Sequence, residues 1–198
     1  VPDKDGGILV FPERAATLRM RRIESLPARL AMRKRNAAGA SRPPLHLYEE
    51  PGHLIRRANQ IAVAMFYEKL GRDITPVQYA VLRMLEENPG LDQVTLAQKV
   101  ALDTSTTADI AARLESKGWI VRKMLPRRQR SLALTPEGAA LLAELTPRVH
   151  DLRDSLFEGM GEEDALDLMR LLSKFVYLNN EQSRAPLRDG FKKPQRVC

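Results

Sequence analysis

Two groups of side chains in this sequence have types and spacings suited to chemistry. The first is Ser105, Thr106, Asp109 and Arg113: hydroxyls, a carboxylate and a guanidinium on one side of a helix. Short polar side chains let a backbone approach another surface closely, and hydroxyls bond base edges or phosphate oxygens alike. The second is Arg127, Arg128 and Arg130, three cations in four positions interrupted only by Gln129. Like charges at that density repel one another unless an anion lies close, so they fit a phosphate-lined groove. Each group also has a blander use. Ser105 and Thr106 can cap a helix, Asp109 can pair with Arg113 or with an arginine of the second group, and the arginine cluster can be a solvated loop. Asp109 is also an acceptor suited to a cytosine amino group.

Charge distribution favours the groove reading more than total charge does. The chain has 198 residues and a formal net charge of +7. Residues 1–43 hold ten Lys/Arg against four acids, so nearly all the excess lies in that segment. Within the otherwise balanced remainder, Arg113 to Arg130 concentrates seven cations around the single acid Glu115. At 43% apolar residues the chain can bury a core. One cysteine, Cys198, excludes a disulfide framework within the chain, and His46, His53 and His150 are too scattered for a metal cluster. No apolar run is long enough for a membrane helix, so a cytoplasmic protein without membrane contact is expected. No phosphate-cradling glycine loop or nucleophile elbow occurs, and the lone cysteine has no placed base, so neither an enzyme nor a cofactor is expected.

The elements that must position these residues can be read in order. Residues 1–43 mix proline, glycine and charge and end in a breaker-rich linker, which predicts a basic, disordered extension. Residues 44–180 form the body, and 181–198 a basic flexible tail. A helix over Gly52 to Leu70 carries an apolar stripe (Leu54, Ala58, Ile61, Met65) widened by Ile55, Ala62 and Phe66, too broad for a lone surface helix. Thr75-Pro76-Val77-Gln78 starts a second helix, with Val77, Val81, Met84 and Leu85 as its core face. Thr95 to Val100 and Ser105 to Lys117 make a helix pair; Thr107, Ile110, Ala111 and Leu114 form the buried face of the second, and Gly118 ends it. Trp119 to Met124 and Ser131 to Leu134 flank the arginine tip as a hairpin. Thr135-Pro136-Glu137 restarts a helix that Pro147 should kink, and Glu162 to Asn179 forms a last, again over-apolar helix. The fold class is mainly α with a small β-wing: a winged helix-turn-helix with N- and C-terminal dimerisation helices.

The segment RLESKGWIVRK, the following RR and the LT-x-x-G restart (Leu134, Thr135, Gly138) resemble the MarR family of bacterial winged-helix regulators over roughly His53 to Asn179. The resemblance implies a homodimer that binds a pseudo-palindromic double-stranded operator, usually as a repressor. It also implies release by a small aromatic carboxylate bound between the dimerisation and DNA-binding regions. The expected DNA contacts are then Ser105, Thr106, Asp109, Arg113, Arg127, Arg128 and Arg130. The expected ligand contacts are His53, Arg57, Tyr67 and Tyr79, a cation for the carboxylate and rings or polar tips for the rest. Asp109 stands where many members carry a base-reading arginine, and Pro126 where many have an acid. The family's redox-sensing branch uses an early cysteine, which this chain lacks. The competing expectation is a winged-helix module for protein interaction without specific DNA binding.

Overall fold

The computed structural model describes residues 46–124 and 130–188. The expectations for the basic extension, for the hairpin tip with Arg127 and Arg128, and for the end of the tail lie outside the described residues. Among the described residues six α-helices and one two-stranded sheet follow the order α1 (Pro51–Leu70), α2 (Pro76–Glu87), α3 (Gln93–Lys99), α4 (Thr104–Ser116), β1 (Ile120–Met124), β2 (Arg130–Leu134), α5 (Pro136–Phe157) and α6 (Glu162–Leu178).

Most boundaries follow from local chemistry. Thr75 and Gln78 form a reciprocal capping box at the start of α2: Gln78 N donates to Thr75 Oγ1 at 3.1 Å, and Thr75 N donates to Gln78 Oε1 at 3.1 Å. That box tucks Gln78 inward and places it on one face with the buried Val81, Leu82 and Leu85. The core face of α2 is therefore rotated from the predicted one. Val77 is exposed, and Leu82 is fully buried. The helix pair also starts earlier than the sequence reading placed it. Asp92 caps α3 by accepting from the amides of Val94 and Thr95, and Asp103 caps α4 by accepting from the amide of Thr106. Between the two helices Ala101 adopts a left-handed φ of 54°. A non-glycine residue there costs about 1 kcal/mol, so Ala101→Gly should leave thermal stability unchanged or raise it by up to about 1 kcal/mol once unfolded-state entropy is offset. A melting curve checks this.

The hairpin is antiparallel, with Ile120 opposite Leu134 and Arg122 opposite Leu132. Its inner face contributes Ile120 and Leu132 to the core. The chain just before α3 pairs with its edge, since Leu132 N donates to Leu91 O at 2.8 Å and Gly90 N donates to Leu132 O at 3.2 Å. The wing is thus tied to the start of the helix pair as well as to α4.

The LT-x-x-G restart has a steric cause. Thr135 caps α5 by accepting from Gly138 N at 3.0 Å and donates its own hydroxyl to Gly118 O at 2.6 Å. A Cβ at position 138 would overlap the carbonyl oxygen of Trp119, which is backbone and has nowhere to move. Gly138→Ala should destabilise the fold by about 2–4 kcal/mol, as overpacking against rigid backbone does. Chemical denaturation with an unchanged midpoint would contradict that account. Pro147 lies inside an unbroken helical run, where Thr146 Oγ1 bonds Leu142 O at 2.8 Å.

The core collects Phe66, Leu70 and Ile74 with Val81, Leu82, Leu85, Leu96, Ala111, Leu114, Ile120, Leu132, Leu142, Leu145 and Leu152. Neither the first half of α1 nor any part of α6 joins it. Among α1 residues only Phe66 and Leu70 are buried, and α6 buries none. After α6 the chain folds back, as Asn180 brackets Leu187 with two hydrogen bonds of 2.9 and 3.0 Å.

Candidate nucleic-acid interface

Helix α4 sorts its residues cleanly. Thr107, Ala111 and Leu114 are buried, while Ser105, Thr106, Asp109 and Arg113 are all exposed. Thr107 Oγ1 donates to Asp103 O at 2.9 Å, which satisfies a polar group that the core would otherwise strand. Ser105 and Thr106 do not cap the helix themselves. The residue that caps it, Asp103, escaped the sequence reading, although an acid immediately before a Thr/Ser run is an N-cap signal. Ser105 Oγ donates to Asp103 Oδ1 at 2.5 Å, Thr106 N to Oδ1 at 2.8 Å and Thr106 Oγ1 to Oδ2 at 2.7 Å. Among the described residues Asp109 and Arg113 form no ion pair, so Asp109 does not hold Arg113.

Two of the clustered cations are already committed. Arg122 stands across from Leu132, on the face of the hairpin turned toward α4, and meets Glu115 there. Its Nε donates to Glu115 Oε2 at 2.7 Å, and its backbone N to Oε1 at 3.2 Å. This pair braces the wing against α4. Lys117 Nζ sits 4.4 Å from the centre of the Trp119 ring and donates to the carbonyl of Asp73, in the loop between α1 and α2. Neither contact was legible beforehand, because both join residues whose approach depends on the turn at Gly118 (φ +74°). Arg113 and Lys123 remain exposed. Arg130 begins β2 opposite Met124, at the end of the hairpin away from Ile120 and Leu134.

The two caps make acid sensitivity predictable. Hydrogen bonds to the Thr95 side chain and backbone hold the Asp92 carboxyl below its ordinary range. Those from Ser105 and Thr106 do the same for Asp103. A carboxylate whose folded pKa is depressed stabilises the fold above its unfolded pKa and loses that contribution as pH falls toward the folded value. The melting temperature should fall from about pH 4 downward. Asp92→Asn and Asp103→Asn, which preserve capping, should flatten that fall. An unchanged acid slope in both variants would contradict the assignment.

The residues expected to hold a ligand fall into two places. Tyr67 and Tyr79 both lie edge-on to Phe66, with ring centres 5.8 and 6.1 Å away, where α1 meets α2. Burial pushes the Tyr79 phenol up, and Arg83 only partly offsets this. His53 instead packs edge-on to Tyr48 at 5.6 Å, and Arg57 is exposed, donating to Gln60 Oε1 at 3.3 Å. Ten residues of helix separate Arg57 from Tyr67, roughly 15 Å at the α-helical rise. One chain therefore does not bring all four together. Phe66, the ring both tyrosines touch, was read from the sequence as apolar stripe only. Among the described residues no group of three or more His, Cys, Asp or Glu could hold a metal, and no helix is long and apolar enough to cross a membrane.

An exposed polar helix, a preceding short helix and a two-stranded wing packed on one core define a winged helix-turn-helix protein. The model of the MarR family matches residues 74–132. The transcriptional regulator HosA of Escherichia coli O111:H- is 35% identical over 128 residues, which is 63% of this chain and 93% of HosA. The chain belongs to the MarR family. BpsR of Bordetella bronchiseptica, whose DNA binding is regulated by 6-hydroxynicotinic acid, matches 68% of this chain and 99% of its own, at 29% identity and a TM-score of 0.63. A MarR variant of Escherichia coli solved with operator DNA matches 63% and 92%, at 29% identity and a TM-score of 0.60.

Proposed function

We propose that this chain is a homodimeric, sequence-specific DNA-binding repressor whose operator affinity is lowered by an aromatic or heteroaromatic carboxylate. The observation that carries the reading is α4, which buries Thr107, Ala111 and Leu114 and leaves Ser105, Thr106, Asp109 and Arg113 outward, beside a two-stranded wing. In this reading α4 enters the major groove, and Arg127, Arg128 and Arg130 grip phosphates and the adjacent groove. The two copies meet a pseudo-palindrome whose half-sites lie roughly 34 Å apart. Dimerisation is supported by the uncovered apolar faces of α1 and α6. An effector of this class is supported by the regulation of BpsR and by the ring cluster of Phe66, Tyr67 and Tyr79. Because Arg57 and His53 lie far along α1 from that cluster, the carboxylate partner comes from the second copy. The genes controlled are those for catabolism of such acids, in a cytoplasmic protein.

Binding to duplexes selected from a random pool, measured across salt concentrations, tests the core of this. Each wing arginine replaced by alanine should lower the magnitude of the salt slope by about one, nearly independent of sequence. Changes at Ser105, Thr106 or Asp109 should alter base preference instead. A chain that enriched no sequence would be a protein-interaction module.

A further inference from the structure

Asp103 does more than cap α4. Its two oxygens accept three hydrogen bonds, from the hydroxyls of Ser105 and Thr106 and from the Thr106 amide. These donors, Ser105 first, hold the Asp103 carboxyl well below the ordinary carboxylate range, so it is ionised at neutral pH. An ionised carboxylate has no proton to give. The protons in both side-chain contacts therefore belong to the hydroxyls and point at Asp103. A serine or threonine hydroxyl carries one proton, and here it is used. What Ser105 and Thr106 present outward is lone pairs, made more basic by donation to a charged acceptor. Asp109, exposed further along the helix, is likewise an acceptor. The Thr106 amide is also taken, and the Asp103 charge offsets the positive end of the helix, so this turn is not suited to phosphate.

We infer that Asp103 is a positioning residue that fixes the reading polarity of α4, so that Ser105 and Thr106 accept hydrogen bonds from exocyclic amino groups, adenine N6 or cytosine N4. The inference rests on the DNA-binding reading above and specifies which base atoms it uses. In the major groove adenine and cytosine offer such amino donors, whereas guanine N7 and O6 and thymine O4 are acceptors that these hydroxyls cannot serve.

Deleting single base atoms from the selected duplex tests this. At positions whose preference is lost in Ser105→Ala or Thr106→Val, replacing adenine by purine, or cytosine by pyrimidin-2-one, removes only the amino group. That change should weaken wild-type binding about 3- to 10-fold in each half-site and have no effect on the variant lacking the hydroxyl. Replacing a purine there by its 7-deaza analogue, which removes an acceptor, should change nothing. Asp103→Asn keeps the cap through its amide oxygen, which still accepts from the Ser105 hydroxyl, but sets its amide donor against the Thr106 hydroxyl oxygen and frees that hydroxyl's proton outward. At the base position read by Thr106 it should lose amino sensitivity and gain 7-deaza sensitivity, with its melting temperature at pH 7 close to wild type. Wild-type sensitivity to 7-deaza purines that vanishes with either hydroxyl would overturn the inference. So would base preferences untouched by both substitutions, or an Asp103→Asn variant with the wild-type atom pattern at the position read by Thr106. A pool from which nothing is enriched would instead remove the regulator reading itself.

Discussion

Leu172→Glu combined with Phe175→Glu should convert the protein to a monomer at micromolar concentration and weaken operator binding about 10²- to 10⁴-fold, the range lost when two linked half-sites become independent. The reason lies in how α6 stands in the single chain. None of its residues is buried, yet Leu166, Met169, Leu171, Leu172, Phe175, Val176 and Leu178 are all at least 43% exposed. Covering a side chain of this size is worth about 1.5–3 kcal/mol, so leaving seven in water is costly. The first half of α1 adds Leu54, Ile55 and Ile61 to the uncovered surface. Glutamate at two of these positions removes apolar burial and forces a desolvated charge into any interface there. Arg170→Ala is the control: Arg170 pairs with Asp167 on the surface of the same helix, and such pairs contribute about 0–1 kcal/mol. Analytical ultracentrifugation beside operator titration reads both effects. A double variant that stayed dimeric would move the interface away from α6, and a monomer with undiminished operator affinity would remove the two-fold reading.

The same features explain how far the sequence could be read. Helix starts marked by a side chain three residues from its backbone partner, such as Thr75 with Gln78 and Thr135 with Gly138, were legible because the signal is local. So was the apolar excess of α1 and α6, since periodicity alone shows a stripe wider than one face. The face of α2 was misjudged because Gln78, polar in type, is drawn inside by its own capping bond, which rotates Val77 outward. The pairs Glu115 with Arg122 and Lys117 with Asp73 depend on how a turn folds two elements together, and no spacing rule encodes that. For the ligand residues, sequence types were informative and position was not. Choosing His53, Arg57, Tyr67 and Tyr79 by chemistry gave one set, whereas the geometry of a straight helix divides it in two.

That division makes the effector prediction specific. A small aromatic or heteroaromatic carboxylate should lower operator affinity about 5- to 150-fold, a coupling of about 1–3 kcal/mol, and operator DNA should weaken ligand binding by the same factor. Titration calorimetry with free protein and with the operator complex reads both sides, and a ligand whose affinity ignored DNA would defeat the proposal. Burial pushes the Tyr79 phenol up, so it stays protonated through neutral pH and can donate to the ligand. Tyr79→Phe should therefore weaken ligand binding while Arg57→Ala should abolish it, with operator affinity kept in both. The separation of Arg57 from the ring cluster adds a sharper test. If the carboxylate partner comes from the other copy, a mixed dimer of one Arg57→Ala chain and one Tyr79→Ala chain contains one intact site and one doubly altered site. Mixing the two inactive proteins should then restore about half of the wild-type ligand stoichiometry in the heterodimer. No restoration, with both chains folded and heterodimers formed, would place any site that uses both residues within a single chain and contradict the 15 Å estimate drawn from the helical rise. Unchanged ligand affinity in Arg57→Ala would remove Arg57 from the site.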